Sequence, residues 1–430
     1  MRALLLTALA VAALAQEPRD PAIRLLRARQ ILTERNKRLP DYTCVQTVDR
    51  RYLKPRKAHR AAPSCDEVRA RRPDELILEK TDRLRLEIKA SQGEEIGSWN
   101  GSPFNSRDIF ELVGGGPYGT GALGGLIWDV FINGGATYKY IGEETSAGAH
   151  LASYSYAVPL AASHYRLKSG SNWATVPFAG VFWLDADSFD LQRLTEQATE
   201  LPPDTGGCEI DTTIDYQKVK VGVTEFLLPR QSSMRQAMQD ESETQSTAVY
   251  SGCREYRGES TIRFDQVPAP DEPGRGVMPQ PPLPAGLPFT LALTAPIDTD
   301  IAAAGDIVRA KLRNPVRDAQ SKAVLAPAGT VVQGRIVHLE HSIETPRHFT
   351  ISIVLEKLET GGVPQPLYAK PIRHYREMLT SGPVEIPLPP DAKSPFAAAF
   401  AFRTDKDRYL VPAGYQSDWM TVSLPSEEQK

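Results

Sequence analysis

Histidine and cysteine are scarce in this 430-residue chain, at seven and four, and that scarcity removes whole classes of chemistry. No Cys-x-x-Cys pair occurs and no His flanks a Cys at ligand spacing, so a tetrahedral zinc site has no donor set. His-Glu-x-x-His, Gly-x-Ser-x-Gly and Gly-Lys-Ser/Thr are all missing, which leaves metalloprotease, α/β-hydrolase and P-loop chemistry without their residues. A charge excess is missing too. The net charge is −3 with 24% charged residues, so no global basic signal points to nucleic acid. Long apolar runs are absent after the first fifteen residues, which excludes a helical membrane span.

The first fifteen residues themselves carry a clear signal. Arg2 precedes an apolar run from Ala3 to Ala13, and Ala13-Leu14-Ala15 forms a small-x-small site before Gln16 and Pro18. That order describes a secretory signal peptide, too short to cross a bilayer, which needs about 20 residues. No Cys follows the cleavage site, so a lipid-modified N-terminus is not expected. The expected compartment is the periplasm or the exterior. Cys44, Cys65, Cys208 and Cys253 then become an even set in an oxidising space, expected to form two disulfides. Three pairings exist, and sequence proximity favours Cys44–Cys65 with Cys208–Cys253.

Proline is abundant, at 35 residues, and unevenly placed. Eight fall between Gln266 and Pro288, among several glycines, where regular backbone hydrogen bonding fails. The stretch 266–288 reads as a semi-rigid linker. It separates an N-terminal domain of residues 16–265 from a second domain of residues 289–424 and a short tail, 425–430.

Both domains read as β. Pro21 to Arg38 has a helical spacing of Ile23, Leu26, Ile31 and Leu32, with Asp20 as the N-cap. Beyond Pro40 the period changes. Ile210, Thr212, Ile214 and Tyr216 alternate with polar residues, which predicts a strand with one wet face. From Trp173 to Leu184 both alternating sets are apolar, which predicts a strand covered on both faces. In the second domain Phe349, Ile351, Ile353 and Leu355 alternate with Thr350, Ser352, Val354 and Glu356, and Pro327-Ala328-Gly329 marks a turn. The predicted fold class is mainly β: a large curved antiparallel sheet, a half-barrel with a few helices, plus a small β-barrel or sandwich.

Few residues are candidates for chemistry. Gly119-Thr120-Gly121-Ala122-Leu123-Gly124 matches the dinucleotide fingerprint in letters only, because no buried parallel strand precedes it. No cofactor is expected. The glycines instead lead into Leu123, Leu126, Ile127, Trp128, Val130 and Phe131, a short apolar helix that must be buried in a core or close over an apolar pocket. Asp185, Asp187 and Asp190 lack the glycine and the terminal Glu of a calcium loop and read as a turn. His338, His341 and His348 read as surface residues. From Arg50 to Arg72 nine Lys or Arg face only Asp66 and Glu67. With Cys44–Cys65 closed, that stretch is expected to project as a basic loop. Arg50, Arg51, Lys54, Arg56, Lys57 and Arg60 then form a patch for anionic partners such as acidic head groups.

Two resemblances follow. Gly180-Val181-Phe182-Trp183-Leu184-Asp185 with Leu191-Gln192-Arg193-Leu194, after a helix, long strands and a glycine-bounded helix, resembles the lipoprotein-carrier-like superfamily. That group includes lipoprotein-sorting carriers and regulators of envelope-stress sigma factors. The resemblance implies a half-barrel over residues 20–265 whose concave face binds acyl chains beneath covering helices. Gly305-Asp306-Ile307-Val308-Arg309-Ala310 followed by Val324 to Arg335 is similar to the β-barrel domain of conjugal-transfer and type IV secretion core proteins.

These readings together point to a non-enzymatic envelope protein. Its expected ligand is an acyl chain or lipoprotein, or else an envelope protein partner, with peripheral membrane contact and no nucleic acid. Leu123, Ile127, Phe131 and Phe182 or Trp183 are the expected ligand-binding residues. A protein-only scaffold and a hydrolase with a dispersed site are the competing readings.

Overall fold

The computed structural model describes residues 20–423 apart from 58–62, 72, 92–93, 105–108, 114–117, 147, 170–171, 257–281 and 373–395. The signal segment, Arg60, most of the Pro-rich stretch and the tail 425–430 lie outside the described residues.

Helix α1 (Pro21–Arg38) begins where Asp20 accepts a hydrogen bond from the Ala22 N–H, with Pro21 at its first position. Its inward face is not the one the large aliphatics suggest. Arg24, Ala28 and Leu32 are buried, at a spacing of four, while Ile23 and Leu26 stay exposed. Arg24 is tolerated inside because its guanidinium pairs with Glu143 at 2.7 Å.

The strands that follow are β1 (Tyr42–Pro55), β2 (Leu76–Ser91), β3 (Glu94–Trp99), β4 (Thr137–Ser146) and β5 (Ala149–Val158), with helices α2 (Cys65–Arg69), α3 (Ile109–Leu112) and α4 (Gly125–Ile127) between them. A small hairpin, β6 (Arg166–Ser169) with β7 (Asn172–Thr175), precedes β8 (Phe178–Asp185), β9 (Leu191–Ala198), β10 (Gly207–Val221), β11 (Thr224–Met238) and β12 (Glu243–Glu255). Pairing runs β3–β2–β1–β12–β11–β10–β9–β8–β5–β4, antiparallel throughout. This is one large antiparallel sheet, and its inward face gathers a single hydrophobic core with α1 and the segment 118–131. The run from Trp173 to Leu184 is two strands rather than one. In β8 Phe178, Phe182 and Leu184 are buried while the alternate residues are half-buried or exposed, so the outer face is only partly covered.

The second unit is a closed barrel. It contains β13 (Pro288–Leu293), β14 (Ile297–Asp298), β15 (Ile307–Leu312), β16 (Val316–Arg317), β17 (Val324–Ala326), β18 (Val331–Ser342), β19 (His348–Thr360), β20 (Val363–Pro366), β21 (Ala369–Pro371), β22 (Ala398–Arg403), β23 (Leu410–Val411) and β24 (Gln416–Thr421). The main wall runs β24–β13–β15–β18–β19. The segment 363–371 pairs with β19 through β20 and with β24 through β21, which closes the wall, while β22 adds to the first half of β19 and the end of β18 keeps an edge. Leu291, Ile336, Ile351 and Trp419 fill the interior.

Three expectations are corrected here. The disulfides are Cys44–Cys253 and Cys65–Cys208. An extended β1 carries the chain about 35 Å away from Cys44 by Pro55, and the chain does not return: Cys65 is bonded to Cys208. Cys253 instead lies on β12, the neighbour of β1, and α2 sets Cys65 against the start of β10. The basic stretch does not start as a projecting loop either. Arg50, Arg51 and Lys54 belong to β1; Arg50 is buried and bidentate to Asp82 at 2.7 Å, and Lys54 pairs with Glu344. Arg56 and Lys57 are exposed just past the strand end. Finally, His338 and His341 are buried rather than at the surface. His341 stacks on Phe349, and its strand end pairs with β2 of the first unit.

Candidate functional site

The inward face of the ten-stranded sheet is a large apolar surface covered by helices and loop segments. Residues 118–132 fill it. Gly121 and Gly124 hold φ of +97° and +152°, backbone that side-chain-bearing residues rarely adopt, and they let the chain turn into α4. A π-helical turn, Trp128–Ile132, continues α4 and rotates successive side chains so that Val130 and Phe131 both face inward. Trp128 is left 43% exposed at the rim.

Leu123, Ile127, Phe131 and Phe182 therefore come together in one core. Phe131 meets Phe182 edge-on with ring centroids 4.8 Å apart, and Tyr154 stacks on the same ring. Trp183 points the other way and is only half-buried, which settles the orientation of β8. The Gly119–Gly124 run is a turn with no βαβ unit around it. Asp185 caps its own turn by accepting from the N–H groups of Asp187 and Ser188, while Asp190 is buried between Arg35 and Lys218.

Polar side chains fasten this filling segment. The Glu95 carboxylate accepts from the N–H groups of Gly121 and Leu123 at 2.9 and 2.8 Å. The Tyr42 hydroxyl donates to the Leu123 carbonyl at 2.7 Å, and Arg29 of α1 donates to the Phe131 carbonyl at 3.0 Å. Asp129 accepts from the His164 N–H at 2.8 Å and lies 2.6 Å from its Nδ1. Burial pushes Glu95 up to about 7, against those two backbone N–H groups, which pull it down.

Behind the segment lies a chain of hydroxyl contacts. Tyr118 donates to Gln46 at 2.6 Å, Gln46 donates to Tyr250 at 3.0 Å, and Tyr250 lies 3.2 Å from Ser232. Glu196 sits beside it on β9, pushed up to about 8 by burial, with Thr212 and Tyr165 hydrogen-bonded to its carboxyl. Neither Glu95 nor Glu196 was singled out from the sequence. The usable signal was the alternation Leu194-Glu196-Ala198, which puts an acid on the apolar face of a strand.

Space is small in this state. Two cavities of about 30 Å³ flank the filling segment, one beside α1 and one against Glu196. Each holds a water-sized group and not an alkyl chain. The barrel of the second unit has an apolar cavity of the same size. Among the described residues no group of His, Cys, Asp or Glu is arranged to hold a metal ion, and no helix is long and apolar enough to cross a membrane.

No family model and no curated protein matches the chain. Three solved structures align weakly. An outer-membrane lipoprotein-sorting protein domain from Vibrio parahaemolyticus is 13% identical, covering 56% of this chain and 97% of its own, at a TM-score of 0.27. A LolA superfamily protein from Nitrosomonas europaea is 10% identical, covering 53% and 94%, at 0.23. A DUF1329 family protein from Desulfovibrio piger is 9% identical, covering 57% and 98%, at 0.24. TM-scores of this size do not establish a shared fold.

Proposed function

We propose that this chain is a non-enzymatic binding protein of the cell envelope, whose N-terminal half-barrel receives an acyl chain or the lipid part of a lipoprotein when residues 118–132 withdraw. The observation that carries this reading is the cover itself. A ten-stranded apolar face is covered by α1, by Ile109 and Val113 at α3 and by a short glycine-hinged segment rather than by a second large sheet. Leu123, Ile127, Phe131 and Phe182 become the walls of the opened groove, and apolar burial at about 25 cal/mol per Å² supplies affinity without a specific polar contact. The two disulfides fit an oxidising compartment, periplasmic or extracellular. The closed barrel is read as a protein-interaction module.

The filled core favours a second reading, a scaffold that binds only protein. Native mass spectrometry with lipid extraction, on protein purified from a bacterial periplasm, separates the two. Co-purifying acyl species near one per chain support the carrier. Gly124→Val sharpens the comparison, because a Cβ there meets nothing within 4 Å while the φ of +152° becomes strained. That strain, of order 1–3 kcal/mol, falls only on the seated segment. Dodecanol uptake should then tighten roughly tenfold. A clean apo mass and no uptake by the variant would favour the scaffold.

A further inference from the structure

We propose that the pocket at Glu196 receives the protonated amine of an amphiphile whose chain occupies the opened half-barrel. This rests on the carrier reading and names the head group that reading leaves open.

The pocket is built from seven different segments, Tyr165 just before β6 among them. Its polar lining includes Gln46 of β1, Tyr118 of the filling segment, Glu196 of β9, Thr212 of β10, Ser232 of β11 and Ser246 of β12. Glu196 is 3% exposed, and its Oε1 has no hydrogen-bond partner among the described residues. An acid with an unsatisfied oxygen inside an apolar sheet is costly unless something completes it. The opposite strand explains why one oxygen is left over. Thr212 lies directly across from Glu196 in the β9–β10 ladder and, with Tyr165, binds the carboxyl without completing it.

The chemistry of the lining selects the sign of the guest. No Lys, Arg or His lines the pocket, so a carboxylate or phosphate head would find no cation there. Beyond the lining, half-buried Glu95 and buried Arg50 act on Tyr118 in opposite senses, leaving Glu196 itself as the acid of the pocket. Aromatic rings beside a buried carboxylate suit an ammonium group, which gains from both charge and ring quadrupole. With the filling segment seated the space is water-sized, about 30 Å³, and the segment's withdrawal enlarges it. Burial holds Glu196 up at about 8, with Asp129 and Asp211 pushing the same way, so the carboxyl stays protonated until a cation arrives.

The position connects head to chain. Ala122 and Leu126 of the filling segment form part of the pocket wall. Withdrawal of that segment therefore opens the pocket into the groove that the chain would occupy.

The test compares three probes with one chain length, below their micelle concentrations: dodecylammonium, dodecanol and dodecanoate, titrated calorimetrically into the full disulfide-bonded protein. The expected order puts dodecylammonium at least tenfold tighter than either of the others. Glu196→Gln should bring its affinity down to that of dodecanol. Equal affinities, tighter dodecanoate, or an ammonium preference that survives Glu196→Gln would overturn the head-group assignment while leaving the carrier intact. Failure of all three probes to bind would overturn both. The ranking on the unaltered protein decides the matter even where the variant does not fold.

Discussion

Glu95 and Glu196 face the protein interior, where a carboxylate is disfavoured, and both are pushed above the usual carboxylate range chiefly by burial. The folded chain therefore holds these two protons more tightly than the unfolded chain, whose Glu titrates near 4.3. Their contribution to stability is fully present below about pH 4.3 and is lost as pH rises through about 7 for Glu95 and about 8 for Glu196. Thermal unfolding followed from pH 5 to 8.5 should show a falling midpoint, with each group contributing up to about 1.4 kcal/mol per pH unit inside its window. Glu196→Gln should flatten the upper part of that fall; an unchanged slope would show that the carboxyl does not keep its proton in the fold. The Arg50–Asp82 pair makes a second case, with side chains only 4% and 7% exposed. Asp82→Ala leaves the guanidinium buried without its carboxylate and should cost about 3–5 kcal/mol in urea denaturation. Glu196 was readable in outline from its strand alternation. Arg50 was not, because a run of basic residues does not say which member turns inward, and only the register Arg50↔Asp82 across β1 and β2 decides it.

At the scale of elements, what could be read was what neighbours in sequence decide. Helix α1 starts at its capping Asp20, and β10 alternates as its residues require. The inward face of α1 is not readable from Ile23 and Leu26, because a partner on β4, Glu143, makes Arg24 a better buried residue than Ile23. The disulfides failed for the same reason. Proximity along the chain is a poor guide when an extended strand separates the two cysteines. Each observed bridge closes a long loop, with sequence separations of 209 and 143. In the chain-entropy account each is worth about 5 kcal/mol, more than the short loops expected from the sequence. Digestion without reduction should yield the linked peptides 44–253 and 65–208, and a 44–65 peptide would refute the arrangement. The Cys65→Ser, Cys208→Ser double variant should lose several kcal/mol of stability, because α2 is tied to β10 mainly by that bridge and a small cluster around Val68.

The two cores are joined by a sheet edge rather than by loose contact. One edge of β2 is shared in turn by β18, by Ala304 and by β3: Glu340–Ser342 pair with Lys80–Asp82, Leu84 bridges to Ala304, and Leu86 to Ser91 pair with β3. Ion pairs flank the seam, with Lys80 on Glu340 and Arg85 chelated by both oxygens of Asp306. The barrel thus protects a strand edge that would otherwise invite another chain. A Pro-rich linker suggests two beads on a string, and the non-local pairing of β2 with β18 has no counterpart in any local pattern. The motif Gly305-Asp306, conspicuous in the sequence as the start of a barrel strand, turns out to sit in this seam. Gly305 has φ of +108°, and a Cβ there would lie 2.0 Å from the Arg85 carbonyl oxygen. Only glycine allows that approach. Gly305→Ala should push β2 away from the Ala304 bridge and break the Arg85–Asp306 contact, while the barrel core keeps all its residues and the first core loses only Ala304. Scanning calorimetry of the unaltered protein should therefore show one cooperative transition, and Gly305→Ala should split it into two, the barrel and the half-barrel melting separately. A single transition in the variant, shifted but not divided, would mean that the seam contributes stability without coupling the two units.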